Sequence, residues 1–307
     1  NSSAIWSGNS NSYDVFDLKI IGGAVEFDYI VDPIITITDV AIDAVLVNIT
    51  AEVNFTHLNI STTAPYDSLV GYWNFDGDKN NTVSFTAYDF TKYNNDGTAY
   101  GNANVSSANC LYGDCANFDG AGDYVNISHS ASLDSVDELT YTAWIYPLKV
   151  DSGNYVIINK NDENIASYRY KRFSISYSNL VFLVYNGSTI IYNSGKAILI
   201  NKWTHVAVSV DEDAYVRIYI NGTQVYENTT AIGNLLLTEN EPLTIGARFN
   251  TNVPGLFFNG TIDEVMIFNT SLTATQISAI YNNQSARFLA TGTQDIVNQS
   301  YMNITSG

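Results

Sequence analysis

Residues 203–226, WTHVAVSVDEDAYVRIYINGTQVY, carry the most regular pattern in the chain. Thr204, Val206, Val208 and Val210 alternate with His205, Ala207 and Ser209; Val216, Ile218 and Ile220 then alternate with Tyr215, Arg217 and Tyr219. A period of two over this length predicts half-buried β-strands. Asp211-Glu212-Asp213 reads as a polar connection, and Asn221-Gly222 has the residue types of a two-residue hairpin turn with positive φ at both central positions. The stretch therefore predicts a three-stranded meander. It holds no nucleophile, acid–base pair or metal-ligand cluster, and reads as framework.

The same reading divides the chain into three regions. Residues 1–66 contain apolar alternation in YDVFDLKIIGGAVEFDYIV and ITITDVAIDAVLVNITAEVNF, a small β-module closed by the linker STTAPYD. Residues 67–285 carry many short strands punctuated by Gly, Asn and Asp, which predicts an all-β sandwich or barrel. One helix interrupts it in SLTATQISAIYNNQ, where Thr273 and Gln276 have capping-box spacing and Ile277, Ile280 and Tyr281 share a face. Residues 286–307 read as a C-terminal β-tail that pairs either with the N-terminal module or with a neighbouring copy. No window approaches the roughly 18 apolar residues needed to cross a bilayer.

Composition changes the picture in two ways. With 13 basic against 31 acidic residues and a net charge of −18, a phosphate backbone or an anionic bilayer is a poor partner. The chain also has 36 asparagines, of which 15 open an Asn-x-Ser/Thr sequon: Asn1, Asn48, Asn54, Asn59, Asn80, Asn104, Asn126, Asn186, Asn221, Asn228, Asn259, Asn269, Asn283, Asn298 and Asn303. Chance would supply roughly six, so the excess points to a secreted, N-glycosylated surface protein. Asn48 and Asn54 fall opposite the apolar face formed by Val45, Val47, Ile49, Ala51, Val53 and Phe55. The two cysteines, Cys110 and Cys115 in CLYGDC, are expected to form a structural disulfide in an oxidising compartment. The chain opens at Asn1 without Met or an apolar leader, as expected of a processed chain or a fragment.

Seven segments then occur in a telling order: LVGYWNFD (69–76), AYDFTKYNNDGTAYG (87–101), GDCANFDGAGDYVNI (113–127), ELTYTAWIYP (138–147), the 202–226 meander, LTIGARF (243–249) and FFNGTIDEVMIFNTSLTATQISAIY (257–281). In that order they resemble the laminin-G-like, concanavalin A-like jelly-roll modules common on microbial surface proteins. The composition, rich in Tyr, Asn and Thr and poor in Lys, is similar to that of archaeal surface proteins. The resemblance implies an antiparallel jelly-roll β-sandwich over residues 67–285, flanked by the N-terminal β-module. It also implies a structural Ca²⁺ near the sandwich rim, held by Asp76, Asp263 and the backbone around Asp119 and Gly120, because hard oxygen ligands from distant strands suit this ion.

Catalysis finds little support. Jelly-roll glycoside hydrolases need two carboxyl groups about 5 Å apart. Glu26 and Asp28 lie outside the jelly roll, strict alternation puts Asp263 and Glu264 on opposite strand faces, and Asp211–Asp213 is a turn. His57, His129 and His205 are the only histidines, and no GxSxG elbow accompanies them. Trp73, Trp144 and Trp203 read as core. The sequence thus predicts a non-enzymatic, extracellular, cell-surface glycoprotein, a subunit of a filament or layer that assembles head-to-tail through the tail. The alternative is a calcium-dependent adhesin for a carbohydrate or surface protein, and a glycoside hydrolase is the remote third reading.

Overall fold

The structure is a computed structural model. It describes the side chains of residues 68–285 except 77–84, 109, 112, 135–136, 161–169, 186–187, 233–240, 251 and 283. Of residues 1–67 it describes the backbone of six strands, and the helix that closes the described chain is followed to Leu289. The chain divides into two compact units, Ser68–Ala274 and a second made of Asn1–Asp67 with Thr275–Gly307.

The larger unit is built from two antiparallel sheets. One runs in the order Asn104–Ser106, Cys115–Asp119, Asn259–Phe268, Glu138–Pro147, Thr204–Asp211, Tyr215–Ile220, Thr223–Asn228, with Leu69–Trp73 also paired to Asn259–Phe268. The other runs Thr189–Ala197, Asn179–Tyr185, Lys171–Ser176, Asn154–Lys160, Leu243–Ile245, Tyr124–Ile127, Gly97–Tyr100, Thr86–Ala87. Sequence neighbours such as Leu69–Trp73 and Thr86–Ala87 lie in different sheets, so the chain crosses the sandwich repeatedly, as a jelly roll does. Between the sheets pack Leu139, Tyr141, Ala143 and Ile145 from one and Phe173, Ile175, Phe182 and Val184 from the other. Full burial of one such side chain contributes about 1.5–3 kcal/mol.

The meander is present, with Val206 paired to Ile220, Val208 to Ile218 and Val210 to Val216. Thr204–Asp211, however, is buried on both faces rather than half-buried, because it lies inside the sheet and its His205, Ala207 and Ser209 face is covered as well. Asn221 and Gly222 turn at φ 48° and 70°, and the Asn221 carboxamide accepts the His205 N–H at 3.0 Å. Cys110 and Cys115 are joined in a disulfide with Cα atoms 5.5 Å apart.

Three expectations need correcting. Residues 286–289, read as the start of a β-tail, continue the helix Ala274–Leu289, because Ser285–Leu289 offers no Gly or Pro to break the ladder. Asp263 and Glu264 do not follow simple alternation. Their strand bulges, with Glu264 at φ 51° and a register shift against Thr142–Trp144, and the extra residue breaks the period of two. Trp203 is only half-buried, beside Tyr146 at the end of the sandwich with ring centroids 5.6 Å apart. Trp144, as expected, is buried, and it lies edge-on to His205 at 5.4 Å.

The central strands also bury charge that the sequence did not announce. Lys160 and Lys171 sit directly opposite one another on adjacent strands. The Lys160 ammonium lies 3.2 Å from the Asp134 carboxylate and donates to the Glu241 carbonyl at 2.7 Å.

In the second unit, six strands form two antiparallel three-stranded sheets. Leu58–Thr62 lies between Ser2–Trp6 and Val25–Tyr29, and Leu46–Glu52 lies between Val15–Lys19 and Thr36–Ile42. Asn48 and Asn59 fall on these strands, and Asn54 lies outside the described residues, as do Asn80, Asn186, Asn298 and Asn303.

Candidate functional site

At one end of the sandwich two glycine-containing turns meet. The first follows Gly97–Tyr100, and the second joins Cys115–Asp119 to Tyr124–Ile127. Tyr100 and Tyr124 are directly opposed in the ladder, so their side chains leave the same face. Their rings stack with centroids 5.0 Å apart and planes within 5°. Phe249 meets Tyr124 edge-on at 5.6 Å. Tyr124 is buried beneath, while Tyr100 is 44% exposed, so one flat aromatic face is held out to solvent by a packed pedestal.

Polar groups border this platform. The buried Asp123 carboxylate accepts the Asn102 N–H at 2.7 Å and the Asp119 N–H at 2.8 Å, and so ties the two turns together. Asp119, exposed, accepts the Ala121 N–H at 2.7 Å and the Asn102 carboxamide at 3.1 Å. Burial raises the Asp123 pKa against its hydrogen bonds, whereas the Asn102 carboxamide, followed by the Ala121 N–H, holds Asp119 below the usual carboxylate range. Asp119 is therefore the anionic acceptor offered to solvent. Gly101, at φ 76°, is required here because a Cβ would come within 2.3 Å of an Asp123 oxygen.

The four residues suggested for calcium do not come together as one set. Asp119 and Gly120 lie on this rim. Asp76 instead accepts the Asp114 N–H at 2.8 Å and the Asn74 carboxamide at 3.0 Å, bracing the turn that carries the disulfide. The strand Cys115–Asp119 separates these positions, about 16 Å for five residues at ~3.3 Å each. Asp263 is buried in the bulge, where it accepts the Glu264 N–H at 2.7 Å. Among the described residues, no group of three or more His, Cys, Asp or Glu side chains is placed to hold a metal ion. Asp119 and Gly120 therefore lie too far from Asp76 to share one ion with it.

Glu264 is likewise buried and accepts the Tyr72 hydroxyl at 2.7 Å. Neither carboxylate of this pair opens onto solvent. Glu26 and Asp28 lie on the strand Val25–Tyr29, with side chains outside the described residues.

Comparison with known proteins agrees with the architecture. Residues 119–278 match the family described as the concanavalin A-like lectin/glucanases superfamily, of the Laminin_G_3 type. The chain belongs to this superfamily. Domain 4 of AbnA, an extracellular GH43 arabinanase from Geobacillus stearothermophilus, solved in complex with arabinotriose, is similar at 20% identity and TM-score 0.55 over 70% of this chain and 98% of that one. The binding domain of Paraclostridial Mosquitocidal Protein 1 is similar at 16% identity and TM-score 0.55, over 70% of this chain and 52% of that one. The binding domain of botulinum neurotoxin DC in complex with SialylT is similar at 17% identity and TM-score 0.54, over 71% and 52%. The chain thus spans about half the length of these toxin domains. At such identities the likeness shows the fold, and none of it bears on an archaeal source. No curated protein matches the chain.

The sequence pointed to Asp119 and Gly120 only as calcium ligands, and it did not single out Tyr100, Tyr124, Phe249, Asn102 and Asp123. The signal available was a tyrosine bordering each turn, in TAYGN and DGAGDYV. Only the register shows that the two tyrosines stack.

Proposed function

We propose that this protein is a non-catalytic, lectin-like binding module that takes a carbohydrate on the Tyr100 platform. The observation that carries the reading is the exposed Tyr100 ring stacked on Tyr124 beside Asp119 and Asn102. An aromatic face receives the apolar C–H side of a sugar ring. An anionic carboxylate accepts from its hydroxyls, and a carboxamide both donates and accepts. The burial of Asp263 and Glu264 supports binding over hydrolysis, since two carboxyl groups must face a substrate to cleave it. The similar structures include carbohydrate complexes, one with arabinotriose and one with SialylT, and this favours a glycan over other ligands.

The Cys110–Cys115 disulfide suits an oxidising compartment, and among the described residues no helix is long and apolar enough to cross a membrane. We place the module outside the cell, at a surface, with sequons such as Asn104 and Asn269 exposed for glycosylation. The filament reading by strand donation rested on residues 286–307, of which 290 onward lie outside the described residues.

The test is a glycan array followed by calorimetry with the best hit, starting from arabinotriose and SialylT. Tyr100→Ala should weaken binding about tenfold, a loss of ~1.4 kcal/mol, while Tyr100→Phe retains it. Equal affinity of Tyr100→Ala and parent would sink the platform. Loss of binding on chelation would move the site to a metal-dependent rim.

A further inference from the structure

Three loops are stitched together where the strand Glu138–Pro147 ends. The Asn201 N–H donates to the Pro147 carbonyl at 2.9 Å, the Ile198 N–H to the Ser178 carbonyl at 2.8 Å and the Tyr177 N–H to the Gly153 carbonyl at 3.1 Å. The Ser178 hydroxyl also donates to the Val150 carbonyl. The continuous rim so formed displays Leu148, Tyr177, Leu199 and Ile200, which are 54%, 67%, 59% and 48% exposed. Large apolar side chains gathered on loop tips mark a contact surface rather than chance exposure. Tyr177 and Ser178 both hold positive φ, 47° and 66°, a turn that Gly or Asn fills without strain. Here a tyrosine takes that position and is the most exposed large hydrophobic among the described residues. Strain kept at an exposed aromatic is a reason to look for a role.

Charge identifies the occupant. In a chain of net charge −18, Lys149, Lys196 and Lys202 all stand exposed on this rim. Asp151 is paired to one of them, 3.3 Å from Lys149. The opposite end of the sandwich is acidic. There Glu212 donates its N–H to the Asp137 carbonyl, Asp211 pairs with Glu138, and Asp137 and Asp213 are exposed. The strand Glu138–Pro147 separates the two ends by about 30 Å, nine steps of ~3.3 Å.

We propose that the apolar, lysine-bearing rim docks onto the acidic end of a second copy of this chain. Rim against rim would set lysines against lysines, so the twofold arrangement is disfavoured. Rim against acidic end pairs opposite charges while the Leu148, Tyr177, Leu199 and Ile200 surface leaves water. The contact is heterologous, and it repeats head-to-tail unless rotation closes it into a ring. It uses neither Tyr100 nor residues 286–307, so it stands apart from the sugar-binding reading and from strand donation.

The experiment is sedimentation velocity on the full chain over a concentration series, in low salt and in about 0.5 M salt, where screening shortens to a few ångström. Low salt should give species that grow past a dimer, and high salt should return them to monomer. The triple variant Lys149→Glu, Lys196→Glu, Lys202→Glu should associate at least about tenfold more weakly, and so should Asp137→Lys with Asp213→Lys. Mixed together, the two variants should pair again, a gain that misfolded proteins could not produce. Leu199→Ser with Ile200→Ser should weaken association with little change in its salt dependence, whereas Tyr100→Ala should leave it intact. A chain that stays monomeric in low salt, a triple variant that assembles like the parent, or mixed variants that ignore each other would each overturn the proposal. A monomer that instead cosediments with phosphatidylserine vesicles through the same lysines would also overturn it and assign the rim to lipid.

Discussion

Replacing Lys171 by Met is expected to stabilise the sandwich at neutral pH and to abolish a rise in stability that the parent shows between about pH 8 and 10. The Lys171 side chain is fully buried, and burial, followed by the neighbouring Lys160 charge, lowers its pKa from 10.5 to about 8. Asp134 and Glu212 act in the opposite direction without cancelling this. Between these values the unfolded lysine still holds its proton while the folded one has released it. The unfolded state then binds more protons, so stability rises with pH across the window. Below about pH 8 both states are protonated and the deficit stays constant. A fall from 10.5 to about 8 corresponds to about 3 kcal/mol at ~1.4 kcal/mol per pKa unit, of which about 2 kcal/mol is regained by pH 10.

Lys160, lowered chiefly by burial, contributes in the same sense. Above about pH 10 the trend reverses, because Tyr155 and Tyr219, raised to about 12 chiefly by burial, ionise first in the unfolded chain. The assay is urea denaturation at constant ionic strength in steps from pH 7 to about 10. In thermal melts the same change appears as several degrees, at about 2–4 °C per kcal/mol for a unit of this size. Met fills a similar volume without the buried charge, a replacement that is often neutral or stabilising. The reasoning fails if the parent is flat over this window, or if Lys171→Met keeps the parent's slope.

Two further outcomes follow from buried groups. His205, fully buried against Trp144, has its pKa lowered from 6.5 to about 3 by desolvation. It favours the folded state above pH 6.5, and that contribution is lost as pH falls toward about 3. A His205→Phe variant should show a shallower acid limb in the same denaturation series, and an unchanged limb would contradict the burial argument. Asn259 donates its carboxamide to the Asp119 carbonyl at 2.8 Å, and a Cβ built on Gly120 would lie 2.6 Å from that nitrogen. If the sequons are used, peptide mass spectrometry of the native protein should therefore find Asn259 bare while the exposed Asn104 and Asn269 carry sugar. A glycan on Asn259 would show that this nitrogen is free during synthesis.

The sequence by itself determined the elements whose cause is local. Alternation placed Thr204–Asp211 and Tyr215–Ile220, because a residue's face in a strand depends on parity alone. Asn221-Gly222 fixed its turn because few residue pairs accept positive φ twice. Thr273 placed the start of the helix, but its end was misjudged, since nothing in Ser285–Leu289 breaks a ladder. The bulge at Glu264 escaped because one inserted residue leaves composition unchanged while shifting every later side chain relative to the partner strand.

Tertiary structure alone decided what lies opposite what. Tyr100 and Tyr124 stand 24 residues apart in sequence, and their stacking follows from ladder register. Lys160 and Lys171 would pass for surface lysines, yet pairing places both inside the sandwich. The separation of Asp76 from Asp119 and Gly120, at opposite ends of one strand, has the same origin. A period of two tells which way a side chain points. It carries no information about which strand will be its neighbour, and binding sites in a jelly roll are made by neighbours.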